Sequence, residues 1–150
     1  MTAVAAVAAA AVGAVALPAT AADHHHSGRA HAAVYISGVR YDSPGPDDRS
    51  NWSLNQEWVD ITNSTRRAVN LDGWTLRDAD GHTFTFRHVR LDGRSTVRVH
   101  TGVGRDTRTD VFQDRRAYVW NNDHDTATLR NDRGRFIDDV SWGRHRGHRR

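Results

Sequence analysis

The 150-residue sequence lacks cysteine altogether. Disulfide cross-links and thiol catalysis are therefore excluded, and the fold must be held together by packing alone. Lysine is also absent, so all 21 basic residues are arginines, and Glu57 is the only glutamate. Together with the abundance of alanine, this skew is typical of a GC-rich coding sequence rather than of selection for a function.

Long apolar runs are missing except near the start of the chain, where residues 3–17 are almost entirely alanine and valine. Ala19-Thr20-Ala21 follows with the small-x-small pattern of a signal-peptidase site, so residues 1–22 are predicted to be a secretory signal peptide that is removed. The usual basic residue after the initial methionine is lacking, which leaves open a true start upstream of Met1. The alternative is an uncleaved membrane anchor, but a spanning helix needs about 20 strongly apolar residues, and alanine is only weakly apolar. We therefore expect a secreted, extracellular protein without a membrane span.

A strong excess of one charge sign is also missing from most of the chain. The formal net charge is +3, and the C-terminal segment RHRGHRR contributes four arginines: Arg144, Arg146, Arg149 and Arg150. Without these four charges the remainder carries −1. Any attraction to nucleic acid or to another polyanion is therefore predicted to be weak and to reside in this basic tail, residues 144–150.

The organisation of the remaining chain indicates one all-β domain. Residues 23–33, DHHHSGRAHAA, are polar without an apolar period and are predicted to be a linker. From Val34 onward, short apolar runs are separated by turn residues, and runs such as TFTF alternate residue by residue, which indicates strands with one buried face. No window of helical length has a 3.6-residue period. About seven to nine short strands predict a β-sandwich or a barrel over residues 34–143. The predicted strands are 34–41, 56–63, 67–71, 74–78, 83–87, 95–100, 118–121, 126–131 and 135–142.

The stretch LDGWTLRDADGHTFTF, residues 71–86, contains three aspartates and a histidine, which raises the question of a metal loop or of catalytic carboxylates. Asp-Gly pairs recur between apolar runs, at Asp72-Gly73, Asp80-Gly81 and Asp92-Gly93. Such pairs are strong hairpin signals because both residues tolerate positive φ. A calcium loop would need further oxygen ligands and a closing glutamate, which this stretch lacks. It is therefore interpreted as two strands and the turn between them.

Three longer segments resemble the lamin tail domain family, in particular its secreted bacterial form: NQEWVDITN (55–63), VNLDGWTLRDADGHTFTF (69–86) and WNNDHDTATLRNDRGRFIDDVSWG (120–143). The shared pattern is an acid-aromatic-aliphatic strand ending in asparagine, an L-x-G-W-x-L-x-D stretch, an aromatic strand and two closing strands. The resemblance covers residues 34–143 and implies an immunoglobulin-like β-sandwich. It also implies a noncatalytic interaction module, and it provides no catalytic residue, because the matching positions are expected to be core and turn residues.

Histidines in the linker are the best candidates for metal ligands. Four of them lie within eight positions: His24, His25, His26 and His31. They could hold a zinc, nickel or copper ion weakly. Nothing in the sequence indicates the supporting hydrogen bonds that functional metal sites need. They are therefore interpreted as solvated linker, and no metal or cofactor is expected.

Catalytic motifs are also lacking. There is no Gly-x-Ser-x-Gly turn and no glycine-rich phosphate loop. The aspartates lie in turns and do not single out the pair of carboxylates that glycoside hydrolysis requires. We therefore expect that the protein is not an enzyme and has no catalytic residues.

The sequence contains five tryptophans. Trp58, Trp74, Trp120 and Trp142 lie on predicted strands and are expected to belong to the core, where each buries roughly 150–250 Å². Trp52 lies instead in the segment SPGPDDRSNWSLN, residues 43–55. It is either an exposed contact residue or a lid on one end of the sandwich.

The function expected from the sequence is that of a secreted, noncatalytic binding module that contacts protein or cell-envelope material. Trp52 is the candidate contact residue in the folded domain. The first alternative is non-specific binding of nucleic acid or acidic polymers through Arg144, Arg146, Arg149 and Arg150. The second alternative is a small secreted hydrolase or a metal-binding protein.

Overall fold

The computed structural model describes residues 32–143. The predicted signal peptide, most of the predicted linker and the basic tail lie outside these residues. Within them the chain forms ten β-strands and one short helix: β1 (Val34–Arg40), α1 (Asn51–Asn55), β2 (Trp58–Asn63), β3 (Val69–Asn70), β4 (Thr75–Arg77), β5 (Thr83–Thr85), β6 (Arg90–Leu91), β7 (Thr96–His100), β8 (Asp110–Phe112), β9 (His124–Arg130) and β10 (Phe136–Gly143).

The strands form two four-stranded sheets and one small two-stranded sheet. The first sheet has the order β1-β2-β7-β8 and the second has the order β10-β9-β4-β5, while β3 pairs with β6. Neighbouring strands pair antiparallel, except that β8 runs parallel to β7. Two packed sheets of mainly antiparallel strands confirm the predicted all-β fold, an immunoglobulin-like β-sandwich without disulfides.

The hydrophobic core lies between the two sheets because alternate side chains of each strand point inward. Val59 and Ile61 on β2, and Val97 and Val99 on β7, are fully buried. The second sheet contributes buried side chains from β4 and β9: Leu76, Ala127 and Leu129. Burial of each valine, leucine or isoleucine contributes roughly 1.5–3 kcal/mol. This packing takes the place of disulfide bonds.

The first and last strands lie side by side at the edge of the sandwich. In β1 the backbone N–H of Ile36 donates a hydrogen bond of 2.9 Å to the carboxylate of Asp138 in β10. Just beyond β1, the ring of Tyr41 stacks on that of Trp142, with their centroids 4.7 Å apart. The two strands therefore run in the same direction, and the chain enters the domain at one end and leaves it at the other.

The stretch 71–86 is two paired strands and the turn that joins them, as predicted. Gly81 in this turn has φ 102°, a conformation that other residues rarely adopt. At the third Asp-Gly pair the positive φ falls on Arg94, at 61°, rather than on Gly93. Gly93 is needed for a different reason, because a Cβ there would overlap the carbonyl oxygen of Arg66.

Several local features differ from the sequence-based expectation. Residues 118–121 were predicted to be a strand but do not pair with one, because the N–H groups of Val119 and Trp120 donate to the carboxylate of Glu57 instead. Strands β6 and β8 were not predicted, since they are only two and three residues long. Helix α1 has five residues, which is shorter than two helical turns, so it shows no 3.6-residue period.

Candidate functional site

Helix α1 presents a large apolar side chain to solvent. Trp52 is 63% exposed, whereas Ser53 and Leu54 on the same helix are buried. The helix is capped by Ser50, whose hydroxyl accepts the backbone N–H of Ser53 at 3.2 Å, and the carboxylate of Asp48 accepts the N–H of Ser50 at 2.9 Å. Capping by a serine stabilises a helix start, so Trp52 occupies a fixed helical position rather than an irregular loop.

Helix α1 is also tied to the rest of the sandwich. The hydroxyl of Ser53 lies 2.7 Å from that of Tyr118, and the hydroxyl of Ser43 donates to the carbonyl of Ser53 at 2.7 Å. The amide nitrogen of Asn51 donates to the carbonyl of Val103 at 2.9 Å, and the amide oxygen of Asn51 accepts the N–H of Val103 at 2.7 Å. These bonds hold the helix in place, which reduces the entropy that binding at its surface would cost.

Two exposed apolar side chains lie in this region. Val103 is 45% exposed, and its backbone is bonded to Asn51, the neighbour of Trp52. A groove of about 420 Å³ runs beside the helix and is lined by Arg49, Asn51, Leu54, Val103, Arg115 and Arg116. Tryptophan and arginine are enriched where proteins contact one another. We name the exposed face of α1 together with Val103 the Trp52 surface.

The tryptophans predicted to be core residues behave differently from one another. Trp120 is buried, and Trp74 and Trp142 are partly buried and pack against the core. For Trp58 the expectation was wrong, because residues 59 and 61 of β2 point inward and Trp58 therefore faces outward. Its ring is covered by the guanidinium of Arg98, which lies 3.6 Å from the ring centroid.

The outer face of the first sheet is occupied by side chains that satisfy one another. Arg98 donates two hydrogen bonds, of 2.8 and 2.9 Å, to the carboxylate of Asp60, while it also covers Trp58. The guanidinium of Arg40 approaches the same ring at 5.3 Å and donates to the side chain of Gln56 at 3.1 Å. The charge of Arg98 is thus balanced within the domain.

Two histidine–aspartate pairs could suggest acid–base catalysis. Nε2 of His100 lies 2.7 Å from the carboxylate of Asp110, and this hydrogen bond, followed by one from Thr109, holds the pKa of Asp110 below its ordinary value. A catalytic triad would place a nucleophilic hydroxyl on the other ring nitrogen. Nδ1 of His100 instead lies 2.8 Å from the carbonyl oxygen of Asn55. This pair therefore links β7 and β8 to the last residue of α1.

The second pair serves the turn between β4 and β5. The buried carboxylate of Asp78 accepts the backbone N–H groups of Gly81 and His82, each at 2.7 Å. It also lies 2.6 Å from Nδ1 of His82. The hydrogen-bonding capacity of Asp78 is thus used to close the turn, which agrees with the interpretation of this stretch as a hairpin.

Of the contact residues predicted from the sequence, Trp52 lies exposed on α1. Outside the described residues lie the other contact candidates, Arg144, Arg146, Arg149 and Arg150, and the metal-ligand candidates, His24, His25, His26 and His31. Between residues 32 and 143, no group of three or more histidine, aspartate or glutamate side chains is arranged to hold a metal ion. The same part of the chain contains no helix with the length and apolar character needed to cross a bilayer.

The hydrogen bonds that fix α1 were not predicted from the sequence. The available signal was the pair Asp48 and Ser50 directly before the helix, since aspartate and serine are preferred at helix starts. The partners of the helix, Tyr118 and Val103, lie about 50 to 65 residues further along the chain. No local pattern indicates such contacts.

The arrangement of the sheets defines the class of this protein as an immunoglobulin-like β-sandwich domain. The family model for the Lamin Tail Domain matches residues 27–144. The chain therefore belongs to the lamin tail domain family, as its sequence motifs indicated, and this is a family of noncatalytic immunoglobulin-like domains. A comparison with curated proteins finds no match.

Proposed function

We propose that this protein is a noncatalytic interaction module that acts outside the cell and contacts protein or cell-envelope material through the Trp52 surface. The observation that carries the proposal is the 63% exposure of Trp52 on a helix that is capped and hydrogen-bonded to the sandwich. Binding energy in protein contacts is concentrated in a few residues, among which tryptophan is enriched. Family membership supports the noncatalytic part of the proposal.

The extracellular location is supported by the apolar start of the chain and by the Ala19-Thr20-Ala21 pattern. Expression in a bacterium with an epitope added after Arg150 tests it. We expect the tagged protein in the culture medium, with a mature start near Asp23 when its N-terminus is sequenced. Retention in the membrane fraction with residues 1–22 intact would contradict this location.

Binding is tested by capture of secreted proteins and washed cell-envelope fragments from the producing organism on immobilised mature protein. Trp52→Ala is expected to weaken capture of at least one component roughly 30-fold, as for loss of about 2 kcal/mol at a dominant contact. Phe136→Ala is the matched control, because Phe136 is 52% exposed on β10, away from α1. Equal binding by the wild type and both variants would reject the Trp52 surface as the binding site.

A further inference from the structure

A second groove, of about 650 Å³, lies between β6 and the chain that leads into β8. Residues 87–92 form one wall and residues 106–111 form the other. Val89 and Val111 are buried at its base and belong to the hydrophobic core. Three exposed arginines line it, which we name the groove arginines: Arg87, Arg90 and Arg108.

Within residues 32–143 the groove arginines have no hydrogen-bond or ion-pair partner for their side chains. Arg98, by contrast, is neutralised by Asp60 at 2.8 and 2.9 Å. The groove also contains Asp92 and Asp106, and Asp106 already accepts the backbone N–H of Phe112 at 3.0 Å. Each guanidinium carries five N–H donors in a planar fork, so the groove presents cationic donors that the described domain leaves unmatched.

Folding concentrates positive charge at this end of the sandwich. Residues 32–143 as a whole contain 16 arginines and 17 acidic residues. Residues 64–67, 87–94 and 105–109 nevertheless contain seven arginines and only two aspartates. The first two segments are neighbours, because the N–H of Arg94 donates to the carbonyl of Thr65 at 2.8 Å. The second and third segments are neighbours, because residues of both line the same groove. The near-neutral total therefore conceals a basic end.

Both walls of the groove are held in place by hydrogen bonds. On one side the carboxylate of Asp72 accepts the N–H of His88 at 3.1 Å, and His88 adopts a positive φ of 56°. On the other side the N–H of Thr107 donates to the carbonyl of Asp110 at 2.7 Å, and the N–H of Asp110 donates back to the hydroxyl of Thr107 at 3.1 Å. The groove arginines thus project from fixed backbone positions, so less entropy is lost when they bind a ligand.

We propose that this groove binds a linear anionic polymer of polyol-phosphate type, through contacts of the groove arginines with successive phosphate groups. Guanidinium groups match the geometry of phosphate oxygens with paired N–H donors. The choice of an envelope polymer rests on the proposed extracellular function, whereas the presence of an anion site rests on the groove alone. The site is separate from the Trp52 surface and from the basic tail.

The lining of the groove favours a polymer without bases over nucleic acid. Proteins that bind single strands combine basic grooves with several aromatic rings on which successive bases stack, whereas the only ring in this lining is the imidazole of the exposed His88. Sequence readout of duplex DNA requires a helix or a β-ribbon that enters a groove of the duplex. Contacts confined to phosphates do not distinguish one base sequence from another. They are sufficient for a polymer whose repeating unit is recognised by its phosphate.

The test measures binding of fluorescein-labelled polyglycerol phosphate of defined length to the full chain by fluorescence anisotropy, over a series of salt concentrations. The groove variant carries Arg87→Gln, Arg90→Gln and Arg108→Gln. We expect its affinity at low salt to fall by roughly tenfold or more and the magnitude of its log–log salt slope to fall by about 3, that is, by about 1 for each phosphate that an arginine no longer neutralises. The melting temperature should stay close to that of the wild type, because all three side chains are exposed.

Two matched variants exclude a general charge effect. The first carries Arg77→Gln, Arg133→Gln and Arg135→Gln, which removes the same charge from exposed positions on β4 and on the chain between β9 and β10. The second carries glutamine at the four positions of the basic tail. We expect both to retain most of the affinity. An equal loss in the first variant, or complete loss in the second, would overturn the assignment of the site to the groove.

Two further arms test the ligand class. A thymidine oligonucleotide with the same number of phosphates is expected to bind no more tightly than the polyglycerol phosphate, and neutral dextran is expected not to bind. Tighter binding of the oligonucleotide by tenfold would overturn the choice of a base-free polymer. Self-association of the wild type that the groove variant abolishes in sedimentation experiments would assign the groove to a second copy of the chain instead. The state of the Trp52 surface affects neither result, so failure here is distinguishable from failure of the proposed function.

Discussion

The carboxylate of Glu57 accepts the backbone N–H of Trp120, although the two residues are 63 positions apart in the chain. It also accepts the N–H of Val119, at 3.1 Å through Oε1. Glu57 is fully buried directly before β2. The only glutamate of the sequence thus supplies the hydrogen-bond acceptors that a neighbouring strand would otherwise provide to residues 119 and 120.

Burial raises the pKa of the Glu57 carboxyl from its ordinary 4.5 to about 7, although the N–H groups of Trp120 and Val119 oppose this shift. Because the folded state then holds this proton more tightly than the unfolded chain, the stabilising contribution is complete below about pH 4.5 and is lost as the pH rises to about 7. We expect urea unfolding to show that Glu57→Gln, which stays neutral, is less sensitive to this pH change than the wild type. The difference should reach up to about 3 kcal/mol between pH 5 and pH 8. Parallel stability profiles for the two proteins would contradict the shift.

The core should be more sensitive at Phe86 than at Trp74. Phe86 is fully buried and makes an edge contact with Phe84 at a centroid distance of 5.0 Å, so Phe86→Ala is expected to lower the free energy of unfolding by about 3–5 kcal/mol. Trp74 is only partly buried against the core, and Trp74→Ala should cause a smaller loss. Chemical denaturation of both variants measures the difference. If Trp74→Ala lowered the free energy of unfolding more than Phe86→Ala, Phe86 would not be the more deeply buried of the two rings.

The turn between β4 and β5 depends on Asp78. Asp78→Ala removes the acceptor of two backbone N–H groups and of the His82 ring, and we expect it to destabilise the protein by about 2 kcal/mol. Asp78→Asn keeps one amide oxygen for the backbone N–H groups and should lose less. Thermal unfolding of the two variants separates these outcomes. If asparagine and alanine are equally destabilising, the backbone hydrogen bonds do not account for the role of this side chain.

Removal of divalent cations should leave stability unchanged. Two of the three aspartates of the 71–86 stretch accept backbone N–H groups: Asp78 from Gly81 and His82, and Asp72 from His88. We expect the same melting temperature with and without EDTA. A drop that Ca²⁺ restores would show that carboxylates in these turns share an ion.

The strands and turns could largely be predicted from the sequence because their signals are local. The alternation in Thr83-Phe84-Thr85-Phe86 and the turn residues before it lie within a few positions of each other, so the hairpin is encoded where it forms. Residue-by-residue alternation on β2 also explains why the predicted burial of Trp58 was wrong. Large aromatic residues favour burial on average, but Val59 and Ile61 define the buried face of β2. Trp58 precedes Val59 and therefore faces outward.

The candidate sites were much less predictable, since they depend on contacts between distant segments. Trp52 could be singled out as a tryptophan in a polar segment, but its exposure is decided by Tyr118 and Val103, which fix the helix. The basic groove gave no signal at all. Arg87 and Arg90 lie 18 or more positions before Arg108, with Asp92 and Asp106 between them in the chain, and only folding places Arg108 across from Arg90. The net charge of a sequence does not show that folding gathers arginines at one end of the domain.

Because β1 and β10 run side by side in the same direction, the domain can transmit mechanical load. Tension applied between residues 32 and 143 acts along these strands, while the ladder hydrogen bonds to β2 and β9 lie across them. Such a force acts in shear, so all the hydrogen bonds between β1 and β2, and all those between β9 and β10, must break together rather than one after another. A tether attached before residue 32 and a second one attached after residue 143 would therefore be joined by a spacer that resists extension.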